Sequence, residues 1–153
     1  MNVADIMTKA SITDSATDTV KAAASLMWAQ QTGSLVVVDG DELLGIITER
    51  DVLKSVARGL DPSDVTVDEV MTKDVVTVPP DASLYEVARL MAARWIRHLP
   101  VADDDGGILG IVSQRDLVGV FAAFDNDPDA IELAADELVR EQRLVRIEQG
   151  DLD

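Results

Sequence analysis

The sequence predicts an α/β fold: two tandem β-α-β-β-α repeats packed sheet to sheet about a pseudo-two-fold axis, followed by a helical C-terminal tail. Three observations predict it. The chain is self-similar at a nearly fixed offset. Within each half the apolar spacing switches between helical and strand periods. A strand-to-helix turn, "GIITERD" at 45–51, returns as "GIVSQRD" at 110–116.

Residues 3–27 align on 67–91 with an offset of 64, so that Met-Thr-Lys falls at 7–9 and again at 71–73. Past the acidic turn Asp103–Gly107 the offset is 65, one residue having been added there. The repeats are assigned to 1–60 and 61–124, joined through "RGLDPSD" (58–64), where Gly59 and Pro62 interrupt helix formation. An acidic segment, 125–153, lies outside the repeat.

Each repeat opens on a brief strand, Ser11–Thr13 or Val75–Val78. A helix follows. In the second repeat Ser83 and Glu86 form an S-x-x-E capping box, and Leu84, Val87, Ala88, Met91 and Trp95 fall on one apolar stripe. Val20, Ala23, Ala24 and Met27 repeat that stripe in the first. Two short strands come next, Leu35–Val38 with Leu44–Ile47 and Leu99–Val101 with Leu109–Val112, each pair joined by an acidic turn. A second helix begins at Thr48 or Ser113. A sheet flanked by two helices buries both faces only against a second such unit, and the neighbouring repeat is the nearest candidate.

Composition narrows the function. Hydrophobic residues make up 47% of the 153-residue chain but aromatics only 3%, so the core is aliphatic, with Met7, Met27, Met71 and Met91 as filler. Without cysteine there is no thiolate chemistry, and with one histidine no zinc site and no paired catalytic grouping; neither a metal nor an enzyme activity is expected. The net charge of −16 argues against a nucleic-acid partner. Apolar runs are strand-sized and no signal segment opens the chain, which predicts a cytoplasmic protein without a membrane span. An acidic surface with only four lysines resembles proteins adapted to concentrated salt; an ordinary acidic protein is the alternative. The run Asp103–Asp105 reads as a solvated turn.

The repeated turn has two explanations. Thr48-x-x-Asp51 and Ser113-x-x-Asp116 each fit a helix cap, the hydroxyl accepting from the N3 amide and the acid complementing the helix dipole. Against a pure cap, boxes of this kind favour the longer Glu or Gln. Gly45 and Gly110, three residues before each hydroxyl, leave room for another backbone or a ligand to approach. As a binding site, the carboxylate would take both hydrogens of a vicinal diol such as a ribose, the hydroxyl and open amides would take a phosphate, and Arg50 and Arg115 would supply the cation that offsets the acid.

Two tandem units carrying "MTK", "SLVVVD"/"HLPVADDD" and "GIITERD"/"GIVSQRD" resemble a cystathionine-β-synthase (CBS) domain pair, or Bateman module, over about residues 3–122. The resemblance implies a regulatory sensor with no cofactor requirement. Its ligand would be an adenine nucleotide (AMP, ADP or ATP) or S-adenosylmethionine, bound in clefts between the repeats. Thr48, Asp51, Ser113 and Asp116 would then hold ribose and phosphate. Adenine would lie against Ile12–Thr13 with Gly33–Ser34, and against Val76–Thr77 with Arg97–His98, and Arg97 and His98 would reach phosphate or simply end a helix. Such modules commonly form disc-like homodimers, here through helix faces carrying Val52, Leu53, Val118 and Phe121, and signal to an effector protein.

Two points stay open at this level. In the tail, Asp127 and Pro128 start a helix whose stripe is Ile131, Ala134, Ala135 and Leu138. Of the whole module, the competing reading is a ligand-free dimerisation unit of a larger assembly, in which the two aspartates only cap.

Overall fold

The computed structural model of the chain describes residues 1–9 and 13–124. In chain order the elements are α1 (Val3–Ile6), β1 (Thr8–Lys9), β2 (Thr13–Asp14), α2 (Val20–Gln30), β3 (Ser34–Asp39), β4 (Glu42–Thr48), α3 (Glu49–Ala57), α4 (Val67–Val70), α5 (Leu84–Arg94), β5 (His98–Ala102), β6 (Ile108–Ser113) and α6 (Gln114–Phe124). The expected helix after Asp127 lies outside the described residues.

The chain forms two compact units, and they are not the two sequence repeats. Each takes its leading segment from the other repeat: residues 10–75 form an N-terminal unit, while Met1–Lys9 join the residues from Val76 onward in a C-terminal unit. Apolar burial drives the exchange. Val3 and Ile6 of α1 lie in one core with Val87, Met91, Leu99, Val101 and Val112. Val67 and Met71 lie in the other with Ala23, Met27, Leu35, Val37 and Ile47. Each such aliphatic side chain contributes about 1.5–3 kcal/mol when fully removed from water. Backbone bonds fasten the exchanged ends: the Val3 N–H donates to the Ala82 carbonyl at 2.9 Å, and the Val67 N–H to the Asp18 carbonyl at 2.8 Å.

The N-terminal unit has the sheet order β2-β3-β4, with β2 parallel and β4 antiparallel to β3. The β-branched run of β3 suits a central strand buried on both sides. Cross-strand register puts Leu35 opposite Ile47, on the face that packs on the helices, and Ser34 opposite Thr48 and Val36 opposite Ile46 on the other face. In the C-terminal unit the order is β1-β6-β5. There Leu99 opposes Val112 on the helix-covered face, and His98 opposes Ser113 on the other.

Three expectations are corrected. Residues 75–78 are not a strand: one parallel bridge, Val78 to Val101, is all that forms. Pro79 and Pro80 follow immediately and have no N–H to extend a ladder. Of the leading strand expected at Ser11–Thr13, Thr13 lies in β2, and residues 11 and 12 are outside the described residues. Trp95 does not extend the apolar stripe of α5. The helix ends at Arg94, and Trp95 turns left-handed at φ 56° with its N–H on the Met91 carbonyl, which leaves the indole 82% exposed. Ala88 is likewise exposed; the buried stripe is Val87 and Met91, with Leu84 and Leu90 packed beside them. A bulky residue held in that conformation costs on the order of 1 kcal/mol.

Candidate functional site

Within each unit the strand-to-helix turn stands beside the start of the preceding strand. In the N-terminal unit Thr48 closes β4 directly across from Ser34, and the Glu49 N–H donates to the Gly33 carbonyl at 3.0 Å. Thr13 adjoins β3 at Val36. Ile12 lies outside the described residues. In the C-terminal unit Ser113 closes β6 across from His98, and the Gln114 N–H donates to the Arg97 carbonyl at 2.8 Å. Val76 is half-buried against the core and Thr77 is exposed, both just before the Val78 bridge. The backbone therefore brings each candidate turn, with Arg50 or Arg115 exposed on its first helical residues, to the strand segment expected to share its ligand.

Both turns are closed capping boxes. Asp51 Oδ2 accepts from the Thr48 N–H at 2.9 Å and from Thr48 Oγ1 at 3.1 Å. Asp116 Oδ2 does the same for Ser113, at 2.7 and 2.8 Å. Aspartate, shorter than the Glu or Gln that such boxes favour, thus still closes the ring. The N-cap backbone, extended at φ −123° and ψ 166° for Thr48, turns its N–H toward N3 closely enough that one methylene fewer suffices. These bonds run to Oδ2 in each carboxylate, so Oδ1 is uncommitted to the box. Asp116 is 2% exposed, and Asp51 is half-buried.

Ser34 is different. It is fully buried, and its Oγ is the single buried side-chain polar atom among the described residues without a hydrogen-bond partner. An unmet hydroxyl costs about 1–3 kcal/mol, and one found in a folded chain calls for an explanation. Its counterpart across from Ser113 is His98, so the two half-sites differ in chemistry at this position.

Gly45 and Gly110 serve a backbone approach. A Cβ on Gly45 would stand 2.7 Å from the Thr72 carbonyl and 2.7 Å from Met71 Sδ; on Gly110 it would stand 2.5 Å from the Thr8 carbonyl and 2.8 Å from Met7 Sδ. Each glycine thereby receives the Met-Thr of the other repeat's exchanged segment. The repeated "MTK" carried that signal, but no local feature of the sequence says which repeat it packs on. The Asp103 carboxylate likewise serves its own turn, accepting from the Gly107 N–H at 2.7 Å and the Asp105 N–H at 3.0 Å. Among the described residues no group of three or more His, Asp or Glu is placed to hold a metal ion, and no helix is long and apolar enough to cross a membrane.

This arrangement is a doubled α/β unit that repeats one strand-to-helix turn beside one strand start. The chain belongs to the CBS domain family, which matches residues 3–58 and again 67–123. It is 38% identical over 117 residues to the CBS domain-containing protein YhcV of Bacillus subtilis, covering 76% of this chain and 82% of that one. It is also 38% identical over 122 residues to an uncharacterised protein of Methanopyrus kandleri, covering 78% of this chain but only 62% of that protein. Similarity to the inosine-5′-monophosphate dehydrogenase of Methanocaldococcus jannaschii, 37% over 115 residues, takes in 74% of this chain and 22% of the enzyme. Among solved structures, a protein with CBS domains from Burkholderia ambifaria superposes with a TM-score of 0.75 at 36% identity, over 80% of this chain and 95% of that one. The CBS domain pair of protein MJ0100, in complex with 5′-methylthioadenosine and S-adenosyl-L-methionine, superposes with a TM-score of 0.73 at 31% identity, over 80% and 97%.

Proposed function

We propose that this chain is a regulatory module that binds an adenosine ligand, AMP, ADP, ATP or S-adenosylmethionine, at the Thr48–Asp51 and Ser113–Asp116 turns. The observation that carries the reading is the orphaned Ser34 hydroxyl, buried directly across the ladder from Thr48 in the half-site that also holds Asp51. The carboxylate Oδ1 atoms, outside the capping rings, are the acceptors for a ribose diol. Arg50, and Arg97 and Arg115 in the other unit, supply positive charge for phosphate, with the His98 imidazole beside them as a hydrogen-bonding group. The ligands bound to the related MJ0100 pair, both of which carry an adenosine group, support the same class. Regulation would be a population shift, which requires the ligand to bind one arrangement of the module better than another. The output passes to an effector protein, and the functional repeats are those bounded at 1–60 and 61–124.

We assign self-association to the outward faces of α3 and α6. Leu53 and Val56 are exposed on α3, and Val118 and Phe121 occupy the equivalent positions on α6. Val52, included in the expected surface, instead packs into its own core. In sedimentation, Leu53→Glu with Phe121→Glu is expected to convert a dimer to a monomer; an unchanged particle removes these faces from the interface.

The closed capping rings favour a second reading, in which the module is a ligand-free structural unit and the aspartates only cap. Calorimetric titration in concentrated KCl with AMP, ADP, ATP and S-adenosylmethionine separates the two, run on the wild type, Asp51→Ala and Asp116→Ala. Saturable binding, lost or halved in stoichiometry in one or both variants, supports the sensor. A folded wild type that binds none of the four, with variants altered only in melting temperature, leaves the structural unit.

A further inference from the structure

One surface of the molecule is explained by neither the sites nor the core. The chain has few aromatic residues, and every aromatic side chain described is exposed: Trp28, Tyr85, Trp95 and Phe121. Two of them lie at opposite ends of one helix, α5. Tyr85 is 71% exposed near its start and Trp95 is 82% exposed just past its end. Between them the outer face carries Ala88, Arg89 and Ala92, with the Arg89 guanidinium 5.7 Å above the Tyr85 ring. Small residues flanked by aromatics let another segment lie close along the helix, and aromatic rings with arginine are the groups that anchor protein contacts.

The charge along α5 and the turn after it is opposite to that of the chain. From Tyr85 to Ala102 there are three arginines, Arg89, Arg94 and Arg97, and one acid, Glu86, in a protein of net charge −16. The segment of matching chemistry is in the same chain. Residues 125–153 hold ten acidic residues against three arginines, with Ile131, Ala134, Ala135 and Leu138 spaced among the acids. That segment continues directly from α6, which packs against α5 in the C-terminal unit. Twenty-nine residues, at up to about 3.3–3.6 Å each when extended, span α5 several times over.

We propose that the acidic segment 125–153 docks in cis on the outer face of α5, its acids on Arg89 and Arg94 and its apolar residues against Tyr85 and Trp95. This goes beyond ligand binding at the turns and does not depend on it. Docking of this kind places the tail along the helix that leads into Arg97 and His98, so it couples the tail to the half-site of the C-terminal unit.

The test uses the full-length chain carrying Trp28→Phe, which leaves Trp95 as the only tryptophan. Its emission and its quenching by acrylamide are measured as KCl is raised, and at several protein concentrations. A second protein adds Asp127→Asn, Asp129→Asn, Glu132→Gln, Asp136→Asn and Glu137→Gln; a third adds Arg89→Gln and Arg94→Gln instead. The proposal expects Trp95 to be at least about twofold less quenchable in the first protein than in either of the others, with protection falling as salt screens the charges and independent of protein concentration. Circular dichroism reports the fold of each, and either altered protein suffices alone if the other fails to fold. Equal quenching in all three overturns the proposal. Protection that grows with protein concentration overturns it too, by assigning the face to a second copy.

Discussion

Across the first turn of α6, Asp116 Oδ2 accepts both the backbone N–H of Ser113, at 2.7 Å, and its hydroxyl, at 2.8 Å, while the Asp116 N–H returns to Ser113 Oγ at 3.3 Å. The same ring at Thr48 and Asp51 is looser, at 2.9, 3.1 and 3.4 Å, and its carboxylate is less buried. Asp116→Ala is therefore expected to destabilise the protein by about 1–2 kcal/mol and Asp51→Ala by about 1 kcal/mol or less. Urea unfolding of the ligand-free proteins checks the order, and a larger loss for Asp51→Ala would contradict it.

Replacing either glycine that receives an exchanged segment should be costly. Gly110→Ala brings a methyl group to 2.5 Å from the Thr8 carbonyl, and Gly45→Ala to 2.7 Å from the Thr72 carbonyl. Because the obstruction is backbone, relaxation means moving the β1–β6 pairing or the Ile46–Thr72 bridge. Overpacking of this size costs about 1–3 kcal/mol. Thermal unfolding should show both variants below the wild type, and an unchanged midpoint would mean that the exchanged segments are not held there in solution.

Ser34→Ala separates structural from ligand-binding roles. Removing a buried hydroxyl that has no partner relieves an uncompensated cost, so the ligand-free variant is expected to be as stable as the wild type or more so by about 1 kcal/mol. Adenosine-ligand affinity should fall about three- to tenfold, the worth of one ordinary hydrogen bond. Unchanged affinity in a wild type that does bind would exclude this hydroxyl from the contact while leaving the sensor intact.

Glu86 predicts an acid-side effect. Hydrogen bonds from the Ser83 backbone and then from its hydroxyl hold the Glu86 carboxyl below the usual glutamate value. A depressed folded pKa means the unfolded chain binds protons more readily, so this contribution is present above the unfolded value and is lost as pH falls through the folded one. Glu86→Gln should accordingly be less stable than the wild type near neutrality and converge with it in acid. A stability gap that is constant with pH would show that charge has no part in the cap.

Much of the fold was legible because its signals are local. The stripe Val20, Ala23 and Met27, the S-x-x-E box at Ser83 and the apolar runs of the β3–β4 hairpin each depend on residues a few positions apart, and all are present. The candidate turns were equally visible, since a doubled hydroxyl-x-x-Asp is read directly from the letters. Trp95 shows the limit. Periodicity extends a stripe indefinitely, whereas the actual helix stops where Trp95 turns left-handed. The geometry of the aspartate rings was also beyond reach, because side-chain length alone ignores how the extended N-cap backbone brings its N–H to the acid.

By itself the sequence determined the repeat, the α/β class, the aliphatic core, the family likeness and the positions of both turns. These follow from spacing and composition along the chain. Tertiary structure alone decided that Met1–Lys9 belong with the second repeat and residues 67–75 with the first, that Gly45 and Gly110 face Thr72 and Thr8, and that Ser34 Oγ is buried without a partner. The physical reason is shared. Two similar repeats offer their leading segments nearly equivalent local interactions. Which sheet each one joins, and which hydroxyl is then sealed away from water, depends on packing between residues distant in the chain, to which no local pattern refers.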